Sequence, residues 1–146
     1  MSSELKARIQ QDLNAARKAR DRLKTTVLST LLSDVRNREI EIGHEADDDE
    51  VRAVVAKAIK QRHEASEQMA KGGRDDLASK EEREAEILSE YLPPPLSEEE
   101  VRSMVREIVE EGVGEIGPAM GRLMPRIRGR FDGKEANRIV REELGR

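Results

Sequence analysis

Leu5, Ile9, Leu13 and Ala16 recur at intervals of three and four residues, the spacing that puts side chains on one face of an α-helix. After the charged stretch RKARDRLK the period resumes in Leu23, Val27, Leu28, Leu31, Leu32 and Val35. The two stripes predict either two helices or one bent helix. HEADDDE supplies acids suited to a helix start before Val51, Val54, Val55, Ala58 and Ile59, and KGG at 71–73 supplies the stop. A third long helix is therefore expected. In DDLASKEEREAEILSEYL a fourth helix is expected to bury Leu77, Ile87, Leu88, Tyr91 and Leu92 while its acids face water.

Pro93, Pro94 and Pro95 cannot continue that helix, because each lacks an amide donor and restricts the residue before it. They predict a stiff connector over 93–96 between an N-terminal helical domain, 1–92, and a C-terminal one, 97–146. Ser97 with Glu100 three residues on is a capping box, and Val101, Met104, Val105, Ile108 and Val109 follow at helical spacing up to Gly112. Seven of the ten glycines lie at or after position 112, so short helices must alternate there with tight turns. One such helix is expected to begin at Pro118, with Pro125 either interrupting it or starting a separate turn. Gly129 and Gly133 bracket a loop, and EANRIVREEL forms a last helix with Ala136, Ile139, Val140 and Leu144 inward. No strand-like alternation and no internal repeat interrupts this all-α pattern.

Composition narrows the core. With 36% hydrophobic and 40% charged residues, one Tyr and one Phe, the interior must be built from Leu, Ile, Val, Met and Ala. Narrow helix seams suit that supply better than a sheet sandwich. The lack of cysteine excludes disulfides, a thiol nucleophile and Cys-ligated zinc. No apolar run approaches the roughly 20 residues of a membrane span, and MSSELKARIQQDL lacks the apolar middle of a secretion signal. A cytoplasmic protein is expected. There is no phosphate-cradling P-loop, no nucleophile elbow and no histidine pair at helical spacing. His63 and Glu67 lie one helical turn apart, too few ligands for a structural zinc, and His44 falls in an exposed loop. The acids of 81–90 read as a solvated face rather than a desolvated general acid. No catalytic residue, metal or cofactor is expected.

Charge changes the picture most. The net charge of -4 divides unevenly: from Met120 onward 8 basic residues face 4 acids, giving +4 and leaving -8 for 1–119. Glycine-bracketed arginines suit phosphate, since the guanidinium fork donates two parallel hydrogen bonds and glycine lets backbone approach closely. The candidate anion-contacting residues are Arg122, Arg126, Arg128, Gly129, Arg130, Gly133, Lys134, Asn137 and Arg138. Arg17, Lys18, Arg20, Arg22 and Lys24, with only Asp21 among them, form a secondary basic patch whose simpler reading is a solvated helix surface. Tyr91 and Phe131 are the only aromatics, so no base-stacking platform is expected; Phe131 should anchor its loop. Backbone and shape recognition of a folded RNA remains. Asp132 and Glu135 are expected to cap the last helix, which leaves the contacts to arginine side chains rather than to the helix end.

NREIEIG at 37–43, KQRHEASEQMAKGGRDDLASKEEREAEILSEYLPPPLSEEEV at 60–101 and MGRLMPRIRGRFDGKEANRIVREEL at 120–144 resemble the GatB/YqeY family, in particular its stand-alone YqeY-like members. The resemblance covers nearly the whole chain, and the tail motif is matched at Met120, Gly121, Met124, Gly129, Arg130, Ala136 and Asn137. It implies two helical parts joined near the proline run, similar to the tail domain of the B subunit of the glutamine-dependent tRNA amidotransferase. In that carbon–nitrogen ligase the tail contacts tRNA and the chemistry lies elsewhere. What the resemblance implies is a non-catalytic tRNA-binding accessory protein. Its partners would be tRNA and an aminoacyl-tRNA or amidotransferase-related protein, with no membrane. The alternative expectation is a protein-interaction adaptor using the acidic N-terminal helices.

Overall fold

In a computed structural model that describes residues 3–145, seven helices follow one another. They are α1 (Glu4–Lys18), α2 (Arg22–Ile42), α3 (Asp48–Lys71), α4 (Asp75–Ser89), α5 (Glu98–Glu110), α6 (Ile116–Ile127) and α7 (Gly133–Glu143). No strand occurs among the described residues, so the all-α expectation holds. The helices gather into two compact units, Met1–Leu92 and Pro93–Arg146.

The first two hydrophobic stripes are two helices, because the chain reverses at Ala19–Asp21. Ala19 stays right-handed, Arg20 flips to φ 60°, and the amide of Asp21 returns to the Ala16 carbonyl at 3.0 Å. This is a helix C-cap of the kind usually built around glycine. Asp21 then caps α2, its carboxylate accepting from the Lys24 amide at 3.1 Å. Ile9, Leu13, Val27, Leu28, Leu31, Val35, Val51, Val55, Leu88 and Tyr91 close the core. At the far end of α2, Asp47 accepts from the Glu50 amide at 2.8 Å and starts α3, which stops at Gly72 and Gly73. On α4 the buried positions are Ala78, Ala85 and Leu88, followed by Tyr91, whereas Leu77, Ile87 and Leu92 are only half-buried. Small residues sit at the seam because α3 packs closely there; buried Ser66 on α3 donates to the Ala78 carbonyl at 3.1 Å.

The second unit wraps α5, α6 and α7 around Val101, Val105, Ile108, Leu123, Ile127, Ile139 and Val140. Ser97 accepts from the Glu100 amide at 3.1 Å, as the capping box requires. α6 begins two residues before the expected Pro118, which falls in the first turn where a missing amide costs nothing. Pro125 neither ends the helix nor begins a separate turn. The helix runs on to Ile127, which is fully buried, and the Arg128 amide returns to the Met124 carbonyl at 2.9 Å. The carbonyl deprived of its donor belongs to Gly121. Burial of Ile127 outweighs one missing bond near a helix end. Residues 93–97 are non-helical. The Leu96 amide donates to the Arg130 carbonyl at 2.8 Å and Arg130 Nε to the Pro94 carbonyl at 3.2 Å, fastening the proline run to the α6–α7 loop.

Candidate anion-binding surface

The tail arginines that the charge count singles out are largely engaged. Arg122 meets Glu111 at 2.7 Å and Arg126 meets Glu107 at 3.3 Å, both from α5 or its end. Arg138 pairs with Glu135 at 2.9 Å, with Glu98 and with Glu142 at 2.7 Å, and these hydrogen bonds, in that order, raise its pKa further. Arg141 donates to Asn137 at 2.7 Å, and Arg130 holds Pro94. Arg128, at the end of α6, and Lys134, in the first turn of α7, remain exposed on either side of the short loop that joins the two helices. Phe131 packs against the second core as expected. Asp132 stands at the N-cap of α7, but its side chain makes no capping bond, which corrects that expectation.

The acidic stretch 39–50 is also consumed internally. Glu39 accepts from the Ala46 amide at 2.9 Å and pairs with Lys6 at 2.9 Å, and these two hydrogen bonds, in that order, hold its carboxyl below the usual range. Asp48 accepts from the Ser3 hydroxyl and from the Leu5 amide at 3.1 Å, which lowers it likewise. Asp47 caps α3 and Asp49 pairs with Arg52 at 2.9 Å. These carboxylates close a corner of the fold, and two of them, Glu39 and Asp49, have their charge matched by a cation.

The α1–α2 corner behaves differently. Among the described residues, Arg17, Lys18, Arg20, Arg22 and Lys24 have no acidic partner, while Asp21 is spent on the α2 cap. Arg17, Arg20 and Arg22 line a shallow concavity of about 610 Å³ together with Thr25 and Thr26. Thr25 donates its hydroxyl to the Asp21 carbonyl at 2.6 Å, whereas exposed Thr26 keeps its own free. The corner thus holds unneutralised positive charge, a hydroxyl donor and room for a ligand. Running charge from the sequence found this patch but ranked it second, because partner acids were invisible.

The remaining polar groups are structural. His63 reaches across the α3–α4 hairpin to Glu82 at 3.1 Å rather than along its helix to Glu67, and exposed His44 contacts the Glu45 carbonyl. The expectation that no acid of 81–90 is desolvated needs correction. Half-buried Glu81 is pushed up by burial first and by neighbouring Glu84, against the pull of Arg62. Arg62 Nε lies 3.0 Å from Glu84, an ion pair whose angle falls short of a hydrogen bond. No group of three or more metal-ligating side chains forms among the described residues. No helix among them is long and apolar enough to cross a membrane.

Fold and surface together define a class: an all-helical protein with aliphatic seams, whose polar chemistry is charge pairing at exposed corners. The chain belongs to the Yqey-like protein family, whose sequence profile matches residues 6–144. It is 35% identical over 108 residues to the altered inheritance of mitochondria protein 41, mitochondrial, of Lachancea thermotolerans, covering 72% of this chain and 58% of that one. Identity to the Kluyveromyces lactis protein of the same name is 37% over 109 residues, with 72% and 58% covered. The Saccharomyces cerevisiae protein of that name is 31% identical over 102 residues, with 68% and 55% covered. The matched region therefore spans less than three-fifths of these relatives' length. Family membership agrees with the expectation, but the function read through it does not. The relatives are named for inheritance of mitochondria, not for tRNA or amidotransfer, so the tRNA-binding accessory reading is withdrawn. The cytoplasmic placement is withdrawn on the same finding, since those relatives are named mitochondrial.

Proposed function

We propose that the chain is a non-catalytic binding protein whose working surface is the α1–α2 corner, where it engages an anionic partner. The observation that carries this reading is the set of five cations at Arg17, Lys18, Arg20, Arg22 and Lys24 left without acidic partners, while Arg122, Arg126 and Arg138 of the tail are ion-paired within the fold. Unpaired surface charge steers an oppositely charged partner, and charge already matched by a neighbour does so far less. In this reading the two units are separate domains with the proline segment as their junction. The corner then belongs to the N-terminal domain. Retention on immobilised heparin, a generic polyanion, tests it. Arg17→Gln with Arg22→Gln should lower the eluting salt clearly, and Arg122→Gln with Arg126→Gln should leave it nearly unchanged. The reverse order would reject the corner as the working surface.

A further inference from the structure

Resting on that reading, we infer that the α1–α2 concavity is a site for a small ligand carrying two or more adjacent phosphate groups. Three of the five cations are arginines that line one concavity with Thr26, whose hydroxyl is uncommitted. Guanidinium forks and a hydroxyl donor are the groups that hold phosphate oxygens with directed hydrogen bonds. The concavity, about 610 Å³, falls within the roughly 300–1,000 Å³ typical of small-ligand sites. The lining holds three arginines and no acid, and a single phosphate, at about -1.5 to -2, would leave part of that charge unmatched.

Arg20 supplies an independent argument. It occupies the left-handed turn position at φ 60° that glycine fills without strain, and its side chain lines the concavity. A corner needed only for chain reversal would be better served by glycine. The chain accepts a left-handed backbone at this position and gains an arginine in the lining of the concavity, and strain of this kind clusters at ligand clamps. Asp21 occupies the end of α2, so the side chains rather than the helix terminus form the site.

Two larger partners fit the corner less well. A surface for single-stranded polynucleotide would want aromatic faces, yet Tyr91 is 3% exposed with Arg8 over its ring, and Phe131 lies in the other unit. A bilayer surface would want an apolar residue to insert, and among the described residues the exposed large hydrophobic is Ile40, at the opposite end of α2.

Calorimetric titration of the full chain with inorganic triphosphate, with sulfate as the single-oxyanion control, tests the inference. Triphosphate should bind one site at least about tenfold more tightly than sulfate, and Arg17→Gln or Arg22→Gln should each weaken it roughly tenfold, the effect of losing a charge-assisted hydrogen bond. Arg20→Gly should weaken it comparably while raising Tm by about a few degrees. Triphosphate no tighter than sulfate, or affinity unmoved in Arg20→Gly, would overturn the site. Phosphatidylglycerol vesicles and polyuridylate form separate arms. Vesicle or polyuridylate binding that triphosphate leaves intact overturns the small-ligand assignment. If heparin retention depends on the corner but triphosphate fails to bind, this inference falls and the anionic-partner reading stands. Loss of both removes both.

Discussion

Two stretches of this chain carry the same excess of positive charge, +4 over residues 17–24 and +4 from Met120 onward, yet they differ in what surrounds them. The tail folds against α5, and residues 93–119 hold seven acids against two arginines, a local -5 that offsets it. Three of those acids, Glu98, Glu107 and Glu111, reach the tail arginines directly. The α1–α2 corner has no such counterpart. Each exposed ion pair of the tail contributes little to stability, but together they cancel the field that a partner would sense. A basic run in sequence becomes a binding surface only where the fold leaves it unmatched.

The largest effect that separates the two regions comes from Leu123→Ala. Leu123 is fully buried in the second core, and its truncation should cost about 2–5 kcal/mol, enough to unfold a unit this small. Denaturation followed by circular dichroism should then show loss of the second unit alone, with triphosphate binding at the corner retained. Binding lost together with the second unit would show that the two regions do not act separately.

Acid titration probes the first unit next. Glu39 and Asp48 have folded pKa values lowered from ordinary values of 4.5 and 3.8, Glu39 by the Ala46 amide and then Lys6, Asp48 by the Ser3 hydroxyl and then the Leu5 amide. A depressed carboxylate contributes fully above its unfolded value and loses that contribution as pH falls through the folded one. Stability should therefore be level from neutral pH to about 5 and decline below about 4.5. Glu39→Gln should cost about 1–2 kcal/mol at pH 7 and flatten the acid limb in pH-dependent melting. An unchanged limb would mean that this corner is not what acid unlocks.

A change of surface charge can invert the comparison without unfolding anything. Glu107→Gln with Glu111→Gln should free Arg122 and Arg126 and strengthen heparin binding by about an order of magnitude at low salt. Stability should move by less than about 0.5 kcal/mol, since both pairs are exposed. If retention does not change, pairing is not what silences the tail. The smallest effect is Arg20→Gly, a gain of about 1 kcal/mol from relieving the left-handed position, read by chemical denaturation. A loss of stability there would show that Arg20 supports the turn through its side chain.

The helix seams were legible because their periodicity is local: Ile9, Leu13, Val27, Leu28, Val101, Val105, Ile139 and Val140 all lie where the three-and-four spacing puts them. Ala78 and Ala85 were overlooked because close helix packing selects small residues, which carry a weak periodic signal. Pro125 misled because its local cost is set against burial of Ile127, a tertiary quantity. The charge reading failed for a related reason. Glu98 and Arg138 are 40 residues apart, Glu107 and Arg126 are 19, and running sums along the chain cannot see such pairs. The corner was visible as a patch, but its standing as the unmatched one depended on where every other charge went.

Arg20 also has a meaning at the level of the gene. Every arginine codon becomes a glycine codon by a single base change, so the better-fitting turn residue lies one mutational step away. In a library of random point variants selected for folding alone, glycine at position 20 should be enriched early, because the backbone there already has the left-handed shape that glycine prefers. Under selection for the protein's work in the cell, the same substitution should be depleted. The sign of that one frequency, compared between the two selections, reports whether this turn is kept for its shape or for its charge.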